Sequence, residues 1–84
     1  DIVARHKDSL VFIEVRTKTS LEFGTPEESI TWTKRNRMRA AAFHYQQAHK
    51  ELSELWRIDV VAIELNQKGK PLRIELIENA VGDG

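Results

Sequence analysis

Two acids and a base, Asp1, Glu14 and Arg16, can meet at one point in this 84-residue chain. Residues 1–5 and 10–17 both read as strands, joined by the polar turn His6-Lys7-Asp8-Ser9. Pairing Arg5 with Leu10 sets Val3 against Phe12, Ile2 against Ile13 and Asp1 opposite Glu14. A tighter turn centred on Lys7-Asp8 keeps that register. Carboxylates directly opposed on one sheet face lie about 5 Å apart at Cβ, and at an effective dielectric of about 20 they repel by roughly 3 kcal/mol. A hard divalent cation reverses the sign by taking oxygen ligands from both. Side chains alternate along a strand, so Arg16 projects from the face of Glu14 and adds a cation beside the pair. The competing reading is an edge hairpin whose acids are neutralised by Arg5 and Arg16.

These residues need elements to position them. After the hairpin, residues 18–30 are polar and contain Gly24 and Pro26, a loop with one helical turn expected at Pro26-Glu27-Glu28. A helix follows over about residues 32–49, capped by Thr31 or Thr33 and favoured by Ala40-Ala41-Ala42. Met38, Ala42, Tyr45 and His49 recur with helical spacing and form its expected core stripe. Residues 57–65 are apolar on both faces at their centre, as in a covered inner strand. The turn Asn66-Gln67-Lys68-Gly69-Lys70 leads to a last strand over residues 72–77. There Leu72, Ile74 and Leu76 alternate with Arg73 and Glu75, which predicts an edge strand with one wet face. The expected fold class is α/β, a mixed β-sheet with a packed helix in the order β-β-α-β-β, forming a single domain over residues 1–84.

Composition narrows the function classes. Hydrophobic residues make up 40% and charged residues 31%, an ordinary globular balance. With no cysteine, disulfide frameworks and cysteine-based zinc sites are excluded, and a reducing, cytoplasmic setting is expected. No apolar run reaches membrane-spanning length and no signal peptide is visible, so no membrane partner is expected. The chain starts at Asp1, without methionine and already in a strand-like run, and reads as an N-terminally truncated fragment. The net charge is zero, yet residues 31–50 carry five basic groups and no acidic one. Lys34, Arg35, Arg37 and Arg39 crowd the start of the helix against its macrodipole, an arrangement that suits a phosphate backbone better than a purely structural role.

Asp1-Ile2-Val3-Ala4, residues 10–18, residues 23–28, residues 34–42, residues 57–62 and Ile77-Glu78-Asn79-Ala80 together resemble the uncharacterised bacterial YraN-like family. The resemblance implies a restriction-endonuclease-like fold of the PD-(D/E)xK kind, similar to archaeal Holliday-junction resolvases. It also implies a missing N-terminal helix and first strand that would supply a further acid. By position, Asp1 looks like the aspartate of the nuclease motif and Glu14 like the acid of its (D/E)xK element. Arg16 stands in the lysine slot. The implied activity is hydrolysis of DNA phosphodiester bonds, with branched DNA among the substrates, by Mg²⁺ or Mn²⁺ held on Asp1 and Glu14. Arginine stays protonated and cannot act as a base, but it can steady a phosphate.

The remaining candidates are weaker. Lys18, Lys34, Arg35 and Arg37 are the expected nucleic-acid contacts, with Trp32 beside them; Thr17, Thr19 and Ser20 could also donate to a phosphate, as ordinary loop residues could. His6, His44 and His49 share no ligand spacing with the carboxylates. Asp59 is expected to bond nearby backbone or pair with Arg57, and Trp56 to pack beneath the sheet. Three readings stand: a metal-dependent nuclease, a non-catalytic nucleic-acid-binding module derived from one, and a sheet that serves as a homodimerising element.

Overall fold

The computed structural model describes residues 2–19, 24–52 and 55–81. Asp1 and Ser20, singled out above, and the first residue of the stretch 23–28 lie outside the described residues. The hairpin forms as its alternation predicts: β1 (Ile2–His6) pairs antiparallel with β2 (Ser9–Thr19). Ile2 meets Ile13, Val3 meets Phe12 and Arg5 meets Leu10, with His6 and Ser9 closing a two-residue turn. Lys7 turns the corner at φ 54°.

A 3₁₀ turn, η1 (Glu27–Ser29), follows Pro26, and α1 (Trp32–Ala48) starts beyond it. Thr31 caps the helix, its hydroxyl accepting from the Lys34 amide at 3.1 Å. β3 (Leu55–Leu65) lies parallel to β2, which requires a long crossover, and α1 supplies it. β4 (Pro71–Ile77) returns antiparallel to β3 at the sheet edge. The result is an α/β unit with one mixed four-stranded sheet in the order β1-β2-β3-β4 and one helix.

The core sits between α1 and one sheet face. Ala42, Ile58 and Val81 are its buried centre, with Phe12, Met38 and Trp56 packed around them. Phe12 meets both Tyr45 and Trp56 edge-to-face, at centroid distances of 5.6 and 6.1 Å. The core stripe of α1 differs from the expected one at its end. Gln46 is buried, while His49 stands at the helix C-terminus with Nδ1 2.8 Å from the Tyr45 carbonyl oxygen. A polar cap on that carbonyl suits a helix end better than apolar packing does.

The last strand turns its aliphatic side outward. Leu72, Ile74 and Leu76 are exposed on the side away from α1, whereas Arg73 turns inward, half-buried. Arg73 bridges Glu27, Glu64 and Glu75 at 2.8, 2.9 and 2.7 Å, tying η1 to β3 and β4. Alternation shows that two faces differ but not which one the helix covers, and three carboxylates around one guanidinium outweigh the pull of the leucines.

Asp59, 1% exposed, is structural. Its Oδ1 accepts from Arg57 Nε at 3.0 Å and from the Asn79 amide at 2.9 Å. The neighbouring Ala80 amide donates to the Ile58 carbonyl at 2.9 Å, so this acid pins the turn that carries Val81 into the core.

Candidate functional site

Glu14 sits where β2 runs beneath the start of α1, level with Val60 on β3. It shares its face with Phe12 and Arg16, the face that receives the helix. Although charged, it is only 8% exposed. A buried carboxylate needs a partner, and Lys34 provides one from the first turns of α1, its Nζ 3.6 Å from Oε1. At that distance, with the ammonium part-exposed, the pair contributes on the order of 1 kcal/mol or less.

An open groove of about 340 Å³ runs from this pair between the hairpin and the helix. Its walls are mainly apolar, from Val3, Phe12, Met38, Ala41 and Tyr45, and its charged groups are Glu14, Lys34 and Arg37. Lys34 stands one helical turn before Met38, so the two share a face of α1. That spacing marks which cation of the basic cluster turns toward the sheet.

The cluster therefore divides. Lys34 and Arg37 line the groove, Arg37 being exposed and in no ion pair among the described residues. Arg35 lies on another side of the helix, above a smaller hollow lined by Glu27, Ile30 and Val60. Arg39 turns inward and clamps the C-terminal turn, donating to the Val81 carbonyl at 2.7 Å and to Asn36 Oδ1 at 2.9 Å. Trp32 is 76% exposed.

Arg16 is half-buried and, among the described residues, forms no ion pair with Glu14. Its Nε and Nη2 both donate to Ser29 Oγ, at 3.2 and 3.1 Å. Ser29 in turn donates to the Pro26 carbonyl within η1. Among the described residues no carboxylate lies within ion-pair distance of Arg16. Its charge is oriented but uncompensated. Lys18, further along the same face, is half-buried and close enough to Glu28 to help hold that carboxyl below its ordinary value, after the larger effect of the Thr25 amide.

The described residues contain no group of three or more histidine, cysteine or acidic side chains gathered for a metal ion. Among the described residues Glu14 is the carboxylate that lines the groove; Asp1 lies outside them. One or two carboxylates completed by waters and substrate phosphate is the donor set that Mg²⁺ accepts, so Glu14 fits such an ion as one of its ligands. No helix among the described residues is long and apolar enough to cross a membrane.

Comparison with known proteins agrees with the YraN-like resemblance. A UPF0102 protein of Caldicellulosiruptor saccharolyticus is 41% identical over 80 residues, which are 95% of this chain and 68% of that protein. One from Dehalococcoides mccartyi is 46% identical over 83 residues, 99% of this chain and 67% of the relative. One from Roseiflexus castenholzii is 48% identical over 82 residues, 96% and 66%. The chain thus spans about two thirds of the length of these curated relatives. No solved structure matches it. The family model covers residues 1–63, from the hairpin through α1 to most of β3, and so includes Glu14, Arg16 and Lys34. The chain belongs to the uncharacterised protein family UPF0102.

Proposed function

We propose that this chain is the core of a metal-dependent nuclease that hydrolyses DNA phosphodiester bonds in the cytoplasm. Its fold is read as the restriction-endonuclease-like PD-(D/E)xK core, similar to that of Holliday-junction resolvases. The observation that carries the reading is Glu14, a nearly buried carboxylate at an open groove whose other charged groups are cations. The hairpin register adds support, since Ile2 pairs with Ile13 and the next residues outward are the two acids.

In this reading Asp1 and Glu14 hold Mg²⁺ or Mn²⁺. The bound ion supplies Lewis-acid activation of a water and of the phosphoryl oxygens. Arg16, oriented by Ser29, steadies the phosphate as a fixed cation, and it cannot serve as the base. Lys34 and Arg37 give the groove its attraction for a polyanion, and Lys18 and Arg35 extend the positive charge beyond it.

A second reading keeps the binding and drops the chemistry, leaving a nucleic-acid-binding module with the carboxylate as a relic. Arg16 in the lysine slot favours it. Incubating the full-length protein with linear, single-stranded and four-way-junction DNA plus Mn²⁺ separates the two. Cleavage that Glu14→Gln abolishes supports the nuclease. Salt-sensitive binding without cleavage, unchanged in Glu14→Gln and weakened when Arg35 and Arg37 become Glu, supports the module instead.

A further inference from the structure

Two cations could stand beside Glu14, and the structure distinguishes them. Arg16 follows it by two positions on β2 but spends two N–H groups on Ser29. Lys34 comes from a different element, α1, and it is the side chain whose charge lies against the carboxylate, 3.6 Å away. Glu14 is almost buried, while the Lys34 side chain keeps 39% of its surface exposed on the groove. The ammonium is therefore anchored on one side and open on the other. Thr31 fixes its backbone by capping the helix at the Lys34 amide itself.

We infer that Lys34 supplies the site's amine, a place the local sequence pattern gives to Arg16. The inference rests on the nuclease reading for its chemistry, but its electrostatic half does not. An ammonium on Glu14 competes with any divalent cation for the same oxygens. With those oxygens holding a cation, Lys34 would turn into the groove, where a flexible four-carbon stem would let it follow a phosphate. There it offsets the charge that builds on the phosphoryl oxygens. In the hydrolysis a water oxygen bonds to phosphorus and the bond from phosphorus to the leaving sugar oxygen breaks. One water proton ends on the leaving oxygen and the other passes to solvent. Lys34 keeps its own protons throughout and acts by charge alone.

This role predicts a split that a purely structural ion pair would not produce. In the full-length protein, calorimetric titration with Mn²⁺ should show Lys34→Gln binding the ion about threefold more tightly, the size set by one part-exposed ion pair. Cleavage of DNA by the same variant should fall about 10²-fold, the usual loss of one transition-state charge contact. Lys34→Arg, which keeps the charge, should hold wild-type Mn²⁺ affinity and recover most of the cleavage. Arg16→Gln should leave Mn²⁺ affinity unchanged. Unchanged affinity in Lys34→Gln overturns the inference whatever the cleavage data say. Tighter Mn²⁺ binding by Lys34→Gln in a protein that cleaves no DNA upholds the competition and overturns the nuclease reading alone. A thermal melt of each variant confirms that it is folded.

Discussion

At the scale of single residues, two buried acids carry opposite meanings. Asp59 is satisfied three ways, at both carboxylate oxygens by Arg57 and by the Asn79 amide, and it does not line the groove at Glu14. Among the described residues Glu14 is paired with Lys34, on a flexible stem, and it faces a groove. Stability should accordingly depend on the first and ligand binding on the second. Asp59→Ala leaves an amide and a guanidinium without their acceptor and should lower unfolding stability by about 2–3 kcal/mol, read as a shift in urea midpoint. The distinction was partly legible in the sequence. The spacing of Arg57 and Asp59 on one strand already suggested a local pair. The reach of Lys34 was hidden, because it depends on how far the helix leans over β2, which residue types do not specify.

At the scale of elements, local chemistry wrote most of the structure. The hairpin register, the Thr31 cap, the turn at Pro26 and the inner strand β3 all form where propensity and alternation place them. The strand β4 was legible in its period and edge position but not in its facing, because the carboxylates that draw Arg73 inward come from three separate segments. This junction has a pH signature. Arg73 holds the Glu27 carboxyl below its ordinary value of 4.5, while the carboxylates, Glu27 first, make Arg73 a still weaker acid than usual. Glu27 therefore binds protons less readily folded than unfolded. Its contribution to stability is present above about pH 4.5 and disappears as the pH falls through the lowered folded value. Comparing wild type with Glu27→Gln by thermal denaturation across pH 3 to 6 should show the two curves converging at the acid end. Curves that stay parallel would place the stabilisation elsewhere.

For the molecule as a whole, cover is uneven across the sheet. Ile58 is 1% exposed beneath the helix, whereas Leu76 is 53% exposed on the other side. Ile58→Ala should cost about 2–5 kcal/mol and Leu76→Ala about 0.5 kcal/mol or less, measured by chemical denaturation. Equal losses would mean that the outer face is packed in solution. The site lies on the covered face, at the groove between hairpin and helix, so it is assembled by the crossover that makes the sheet mixed. The most direct test of the central claim is the melting temperature of the full-length protein as Mn²⁺ is added. At roughly ten times its dissociation constant the ion should stabilise by about 1.4 kcal/mol and raise the melting temperature by about 5 °C or more, and Glu14→Gln should remove that rise. A melting temperature indifferent to Mn²⁺, or a rise that survives in Glu14→Gln, would contradict Glu14 as the metal-holding acid.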